Sequence, residues 1–514
     1  MNIKKQRTPM RGRRAGVGMI GVLAAGMLAV GMNGADAADF EFQGAKGFFD
    51  TTVSTGITFR VQGDGTPRST GDANFNAGNP VSQVTKATHD FNIERDNIGA
   101  FVRGTYFYDS VIENKSGLAQ STRDAAGYDA SLLDYFVYGN WDIGDSSRLH
   151  LRLGSQVVSW GESTFFTNSI NAINPQDVIK ARAPGAEVKE ILVPLPMAWA
   201  AVDITDNWSV EAFALLHWSE TELDPVGTFF STSDTLGRGA TALVTPAGVV
   251  PRISDAQGEN LGNFGVSTHV IVEDLGYTDF GFYYIKYNPY APVLGLTPAT
   301  TPGDATTMRY FADYSTDINL YGASFNTTVW KAAVQGEVSY QDNFPIQRGF
   351  GQFFGGNLNG TATATKRTLP ISQAQVTSTY VFPPNVIPTT SQTSWVTEVA
   401  WTHVYDHTGE VDLGGVTSNA VAFRTLFGPQ WDSAFVMPGL GSINLKGKID
   451  YQMGVIGVGP AGGPPSRDAY QLTLGLEAIH LDKLSLGVNY TNMWGNKQSR
   501  SRYDYAGVDM KYSF

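Results

Sequence analysis

The feature that most constrains this chain is an alternation of side chains over a length that can cross a membrane. From Phe49 to Val61 the odd positions are mainly apolar or aromatic, and the even positions are polar, small or charged. Successive residues of a β-strand point to opposite faces, and this run is longer than an average strand of about 5–6 residues. The pattern therefore predicts a strand with one face toward lipid and the other toward a lumen.

The same alternation recurs along the chain. Glu94-Arg95-Asp96-Asn97 reads as a tight turn between a strand around Phe91 and a strand from Ile98 to Tyr108. The other candidate strands are 133–143, 149–159, 194–204, 208–218, 264–272, 279–287, 318–328, 330–340, 395–405, 421–427, 443–453, 470–480, 484–493 and 503–514. These make about seventeen candidates, and single-chain bacterial barrels have even counts, so we predict an all-β transmembrane antiparallel β-barrel of about 16 strands, with 14 or 18 as alternatives.

The amino-terminal residues have the pattern of an export signal. Six basic residues precede an apolar run from Ala15 to about Met32, which is followed by Ala35-Asp36-Ala37. A transmembrane anchor is the alternative, but the run is rich in Gly and Ala and barely reaches spanning length. We predict a signal peptide at residues 1–37, cleaved after Ala37, and a mature barrel of residues 38–514 that forms one unit.

The carboxyl-terminal residues alternate as well. From Val508 to Phe514 every second side chain is apolar or aromatic. This ending resembles the final strand that the barrel assembly machinery of the outer membrane recognises, with Tyr512 and Phe514 as the expected recognition residues. The predicted location is therefore the outer membrane of a Gram-negative bacterium, in contact with its lipids.

Composition excludes several classes of protein. Cysteine is absent, which excludes disulfides, thiolate metal sites and a lipoprotein anchor. The net charge of −12, with no basic stripe, argues against nucleic acid as a partner. Beyond the leader there is no apolar stretch near 18 residues, so a helical inner-membrane protein is also excluded. The 57 Gly, 22 Tyr, 29 Phe and 10 Trp suit the turns and aromatic girdles of a barrel.

Polar, Gly- and Pro-rich stretches predict the external loops, at 63–82, 109–130, 221–262, 288–315 and 342–392. Asp96-Asn97 and Asp206-Asn207 are predicted to be periplasmic turns. The stretch 160–196 fits neither a strand nor an ordinary loop, because charges cluster there in a chain that elsewhere avoids them. It is a candidate plug or constriction inside the lumen, and the alternative is a loop whose charges merely brace it. The candidate constriction residues are Glu162, Asp177, Lys180, Arg182, Glu187, Lys189 and Glu190.

Several stretches resemble a proteobacterial outer-membrane family known only as a domain of unknown function, family 1302. The stretches are 154–163 with Trp160-Gly161-Glu162-Ser163, Asn-Ala-Ile-Asn-Pro at 171–175, Pro-Gly-Ala-Glu at 184–187, 101–104, 224–227, 320–327, 336–340 and 512–514. Gln341-Asp342-Asn343-Phe344-Pro345 departs from the family pattern, which puts the following loop in doubt. The resemblance implies a large barrel that works near an inner-membrane exporter of the resistance-nodulation-division type and a periplasmic partner. It also implies trafficking of hydrophobic or lipid-like molecules, and it brings no catalytic residues.

Enzyme motifs are weak in this chain. Gly457 to Gly462 matches a dinucleotide-type glycine pattern, but Gly463-Pro464-Pro465 follows it and cannot begin a helix. No catalytic, metal or cofactor site is predicted, and no cofactor is expected. The predicted function is passage or envelope trafficking of a small, hydrophobic molecule through the barrel. The alternatives are a plugged barrel that docks in a trans-envelope assembly and, less favoured, an outer-membrane enzyme.

Overall fold

Eighteen antiparallel strands close into a barrel in the computed structural model, which describes residues 38–63, 69–144, 146–439, 441–495 and 503–514. The sheet closes where β2 pairs with the last strand, β23, in a register from Thr52 opposite Ser513 to Arg60 opposite Tyr505. Closure leaves no edge strand, which satisfies the backbone hydrogen bonds that lipid cannot satisfy. The predicted signal peptide, residues 1–37, lies outside the described residues.

The strands, in chain order, are β1 Ala38–Phe42, β2 Ala45–Arg60, β3 Pro80–Arg95, β4 Ile98–Asp109, β5 Tyr128–Ile143, β6 Ser147–Gln156, β7 Leu195–Thr205, β8 Trp208–Leu215, β9 Ala242–Thr245, β10 Gly248–Pro251, β11 Phe264–Val272, β12 Thr278–Tyr287, β13 Val293–Thr297, β14 Arg309–Asp313, β15 Ile318–Val329, β16 Ala332–Gln347, β17 Lys366–Phe382, β18 Gln392–Val404, β19 Asn419–Met437, β20 Gly441–Ile456, β21 Tyr470–His480, β22 Leu484–Trp494 and β23 Tyr505–Ser513. The short helices are α1 Thr70–Asn74, α2 Ser110–Asn114, α3 Gln120–Ala126, α4 Val178–Arg182, α5 Val188–Ile191 and α6 Phe350–Leu358.

Five of these strands lie outside the barrel wall. β1 forms a hairpin with the base of β2, and the pairs β9–β10 and β13–β14 are small sheets within long connections. The long connections are 61–79, 110–127, 157–194, 216–263, 288–317, 348–365, 405–418, 457–469 and 495–504, and they share one end of the barrel. Short turns such as 96–97 and 206–207 join the strands at the other end, as predicted.

The alternation predicted for the first wall strand is confirmed. On β2 the side chains of Phe49 and Phe59 are exposed on the outer face, whereas Ser54, Thr58 and Arg60 face inward and are buried. Exposed Val, Leu, Trp and Phe side chains continue this apolar outer surface around the wall. In the described part of the chain, no helix is both long and apolar enough to cross a bilayer. The predicted all-β barrel is therefore confirmed as a fold.

The wall has 18 strands, so the preferred count of 16 is wrong and the alternative of 18 is confirmed. All seventeen candidates lie on wall strands, and the missing strand is β17, which the predicted loop 342–392 concealed. The outer face of β17 carries Ser372, Ala374, Val376 and Ser378, so its hydrophobic alternation is weak. The strand is specified instead by its neighbours, since β16 and β18 pair with it on both sides.

The barrel interior is not uniformly polar. Inward side chains of β7, β8, β12, β15 and β17 form one large buried cluster that includes Trp199, Phe213, Ile285, Leu320 and Ile371. Lumen walls of membrane barrels are normally polar. This half of the wall therefore needs an apolar cover, and the connection between β6 and β7 provides it.

Candidate functional site

Residues 157–194, here called the lumen segment, connect β6 to β7 and fold into the barrel. One arm, 157–173, reaches β15, β16, β17 and β18, where Asn326, Glu337, Ser339, Gln375 and Glu398 lie. The other arm, 176–193, carries α4 and α5 and reaches β3, β5 and β23. The lumen segment thus bridges opposite walls of the barrel.

Asn174 fastens the two arms where the lumen segment leaves the wall. Its Oδ1 accepts from the backbone N–H of Val158 at 3.0 Å, and its Nδ2 donates to the carbonyls of Val193 at 3.0 Å and Gln156 at 3.3 Å. Asn174 is 7% exposed, so these bonds satisfy an amide that has lost most of its water. The Asn-Ala-Ile-Asn-Pro stretch thus fixes the base of the segment.

The Trp160-Gly161-Glu162-Ser163 stretch packs on β8 and reaches across to β16. Trp160 is 3% exposed and packs on Phe213, with ring centroids 5.2 Å apart. Gly161 has a φ of +84°, and a Cβ there would lie 2.4 Å from Glu337 Oε2. Only glycine adopts this conformation readily and lets the carboxylate approach so closely.

Two wall carboxylates hold the tip of the first arm. Glu337 on β16 accepts from the backbone N–H groups of Glu162 at 2.5 Å, Ser163 at 3.1 Å and Ile170 at 3.3 Å, and from Gln375 Nε2 at 2.9 Å. Glu398 on β18 accepts from the N–H of Phe165 at 2.5 Å. Charge-assisted hydrogen bonds of this kind are roughly twice as strong as neutral ones, so they fix the tip firmly.

The second arm is held by ion pairs of α4. Asp177 caps α4 by accepting from the N–H of Lys180 at 2.9 Å, and Lys180 Nζ lies 3.4 Å from Asp177 and 3.6 Å from Asp129 on β5. Arg182 donates to Asp224 in the 216–263 connection at 3.0 Å. Because these side chains are largely buried, the pairs lock α4 between wall and external loop.

The helix α5 carries the remaining predicted charges. Glu187 accepts from Lys511 on β23 at 3.0 Å and lies 3.2 Å from Lys189. Lys189 is also 3.6 Å from Asp90 on β3. Glu190, 4% exposed, accepts from Lys86 on the inner face of β3. The second arm therefore meets the wall through alternating charges.

The environments shift the acidities of segment carboxylates. Burial raises the pKa of Glu162, the charges of Asp279 and Glu337 add to the rise, and the hydrogen bond from Asn326 opposes it. Burial also raises the pKa of Asp177 and outweighs the charge of Lys180. At Glu187 burial alone would raise the pKa, but Lys511 and Lys189 outweigh it and lower the pKa. Glu187 is thus held as the charged form.

The seven predicted constriction residues pair largely with residues that the sequence analysis did not name. Two pairs form within the set, Lys180 with Asp177 and Lys189 with Glu187. The missed partners of these seven residues are Lys86, Asp90, Asp129, Asp224, Glu337 and Lys511. Apart from Asp224, each is a charge at an inward position of a wall strand, which is the signal that would have revealed it.

The stretches that carry the family resemblance converge on this site. Gly161 and Ser163 meet Glu337 of the 336–340 stretch, and Ile170 packs against Gly322 of the 320–327 stretch, where a Cβ would lie 2.6 Å from it. Pro184 packs on Gly56 of β2. The divergent Gln341–Pro345 stretch is a bulge in β16, with Asn343 at a φ of +59°. Several of the stretches that carry the family resemblance therefore lie where the lumen segment contacts the barrel wall.

The wall that remains uncovered is β20, β21 and β22. The hydrogen bonds and ion pairs of the lumen segment, among the residues described, go to other strands and loops and none go to these three. Their inner face carries Lys446, Lys448, Gly475, Glu477 and Gly487 in adjacent registers. Lys448 is 50% exposed. This inner face is therefore polar, and the described hydrogen bonds and ion pairs of the segment do not reach it.

A second polar space lies below the apolar cluster, at the end with the short turns. It has a volume of about 920 Å³ and is lined by Asp142, Asp203, Glu211, Asp279 and His269 among others.

No group of three or more metal-ligating side chains is found among the residues that the structure describes.

A closed antiparallel sheet with an apolar exterior, a partly polar interior and a segment folded inside defines a porin-like transmembrane β-barrel. The chain belongs to the family described as "Protein of unknown function (DUF1302)", whose model matches residues 19–514. The family resemblance stated above is thereby confirmed. A comparison with curated proteins finds no match in sequence.

Solved barrels resemble the chain at low identity. OccAB1 of Acinetobacter baumannii is 12% identical over 93% of this chain and 98% of its own, with a TM-score of 0.43. OccAB4 of the same organism is 8% identical over 91% and 98%, with a TM-score of 0.45. OmpF of Salmonella typhi, in complex with daunomycin, is 8% identical over 93% and 100%, with a TM-score of 0.37.

Proposed function

We propose that this protein is an outer-membrane channel of a Gram-negative bacterium that lets small water-soluble molecules pass along the β20–β22 wall. The observation that carries the proposal is the polar inner face of these strands, which receives no hydrogen bond or ion pair from the described residues of the lumen segment and on which Lys448 is half exposed beside Gly475. Polar walls with small side chains keep a lumen wet.

The lumen segment is proposed to act as a fixed constriction and not as a removable plug. Its first arm buries Val158, Trp160, Phe166, Ile170 and Ile173, each at most 7% exposed. At roughly 1.5–3 kcal/mol for each buried apolar side chain, removing this arm from the wall costs on the order of 10 kcal/mol. Passage that requires such a step would be very slow, so solutes are expected to pass beside the segment.

The predicted hydrophobic or lipid-like cargo stays a prediction. The apolar part of the interior is filled by the segment's own side chains, such as Ile170 and Ile173, which are at most 1% exposed. An apolar solute therefore finds no apolar wall along the passage proposed here. The geometry supports polar solutes better.

The test is single-channel conductance of the refolded mature chain, residues 38–514, in planar bilayers, together with liposome swelling in sugars, amino acids and short-chain fatty acids. Conductance steps and swelling in polar solutes are expected. The variant Lys448→Glu should shift the reversal potential in a salt gradient toward cation selectivity, because it reverses a charge in the passage. Lys331→Glu, in the exposed β15–β16 turn, is the matched control and should leave the potential unchanged.

Absence of conductance in a correctly folded barrel would overturn the channel and favour the docking role. Swelling in fatty acids alone would instead favour the hydrophobic cargo. An equal shift of the reversal potential in Lys448→Glu and Lys331→Glu would show that the passage does not run along the β20–β22 wall.

A further inference from the structure

Glu398 is a carboxylate that holds the lumen segment with one oxygen and has no partner for the other among the described residues. Its side chain on β18 is 0% exposed. Oε2 accepts from the N–H of Phe165 at 2.5 Å, whereas Oε1 is buried and accepts no hydrogen bond from any residue that the structure describes. A buried carboxylate oxygen left unpaired is costly, and such groups call for an explanation.

Among the residues that the structure describes, none forms an ion pair with Glu398. Arg424 on β19 stands directly opposite in register, but its guanidinium donates to both oxygens of Asp450, at 2.9 and 2.8 Å, and lies over the ring of Phe165 at 4.6 Å. From β17 the facing residues are Gln375 and Thr377, which do not ionise.

The other titratable groups around the tip are three acids and one histidine. Glu337 on β16 acts on Glu398 through its charge, and Glu162 of the lumen segment is in turn affected by Glu337, by Asp279 on β12 and by His269 on β11. The direct partner of Glu398 is therefore a backbone N–H group of the segment tip, that of Phe165.

Glu337 has a different arrangement. Its carboxylate accepts from three backbone N–H groups and one amide, so a proton arriving there would have to displace a donor. At Glu398 a proton can bind the unpartnered Oε1 and leave the bond to Phe165 in place. That bond would then end on a neutral acid and lose its charge assistance.

We propose that Glu398 is a positioning residue that holds the tip of the lumen segment in a proton-dependent way. Uptake of one proton from the lumen on Oε1 weakens the hold on residues 164–166 and loosens the tip beside the passage. The effect on conductance rests on the proposed channel function, whereas the effect on the segment does not. Glu398 touches no solute in this arrangement and acts through Phe165.

Hydrogen–deuterium exchange of the full mature chain in detergent micelles tests the proposal without any conductance. Exchange of the peptide that covers 162–170, corrected for the intrinsic effect of pH, should be on the order of tenfold faster at pH 5 than at pH 8. In Glu398→Gln, which is neutral at both values, exchange should be fast at both. Glu211→Gln is the matched control, because Glu211 holds the same arm through the indole of Trp160 and not through the backbone, and it should keep the pH dependence.

Equal corrected exchange of 162–170 at the two pH values in the wild type would overturn the proposal even if no variant folded. An unchanged pH dependence in Glu398→Gln would overturn it as well. A barrel that shows the expected exchange but no conductance would refute the channel function and leave the role of Glu398 intact.

Discussion

The indole N–H of Trp160 donates to Glu211 Oε2 at 2.8 Å, and the indole of Trp199 donates to the same oxygen at 3.2 Å. Trp160 belongs to the lumen segment, whereas Glu211 and Trp199 belong to β8 and β7. Arg152 lies over the ring of Trp199 at 3.9 Å and supplies the nearby positive charge. One carboxylate thus joins the segment to the wall at the boundary between the apolar cluster and the polar space beneath it.

Replacing Trp160 with Ala is expected to destabilise the barrel by about 3–5 kcal/mol, because the ring is nearly fully buried and leaves a cavity. Trp160→Phe keeps most of the packing and loses the hydrogen bond, so about 1–2 kcal/mol is expected. Urea unfolding in detergent, followed by the heat-dependent shift on gels, measures both. Trp330→Ala, at a side chain that is 98% exposed, is the control. Equal stability of Trp160→Ala and the control would contradict the described packing.

Gly161→Ala is expected to cost more than the backbone strain of a left-handed residue, since the new Cβ would also lie 2.4 Å from Glu337 Oε2 and 2.8 Å from Ile170 Cβ. The control is Gly303→Ala, where φ is a similar +83° but nothing lies within 4 Å. The control should lose about 1 kcal/mol, and Gly161→Ala at least 1 kcal/mol more. If urea unfolding gave comparable losses of stability for Gly161→Ala and Gly303→Ala, Glu337 would not lie as close to Gly161 as described.

We expect Glu187 and Lys511 to affect ion selectivity in opposite directions. Lys511 Nζ lies 3.0 Å from Glu187 Oε1. Glu187→Gln removes the salt-bridge partner of Lys511 and should shift the reversal potential toward anions. Lys511→Gln should shift it toward cations, and the double variant should return near the wild-type value. Bilayer recordings in a salt gradient measure the reversal potential. Shifts of equal sign in the two single variants that add in the double variant would refute this pairing.

Asp412 is expected to make the external loops sensitive to acid. Although its partial burial acts the other way, hydrogen bonds from Thr408, Arg367 and Arg348 lower the pKa of Asp412 to about 2. A lowered pKa means that the contribution to stability is complete above the unfolded value of about 3.9 and is lost as the pH falls toward 2. The stability difference between wild type and Asp412→Asn should therefore be constant near neutrality and shrink between about pH 4 and pH 2.

Thermal unfolding of both proteins across this pH range measures the difference. Asp274→Asn, which removes an exposed carboxylate in the β11–β12 turn with no described ion pair, is the comparison. A difference for Asp412→Asn that persists undiminished at pH 2 would show that the two arginines do not depend on its charge.

Much of the barrel was predictable from local pattern. Alternation located seventeen of the eighteen wall strands, because a side chain that faces lipid must be apolar whatever its neighbours are. The pattern failed at β17, where small and hydroxyl side chains such as Ser372 and Ser378 face outward. The clustered charges of 160–196 likewise singled out the segment, since charges are rare elsewhere in the chain.

The sequence by itself determined the closed barrel, its two faces and the unusual segment, because these depend on the period of two and on where charge is tolerated. The tertiary structure decided which wall the segment covers and which wall it leaves open. Glu337 and Glu398 lie more than 160 residues from the backbone groups that they hold, and no local pattern encodes such a contact. Only closure of the sheet brings β16 and β18 to the tip of the segment, and that closure also leaves Lys448 facing water.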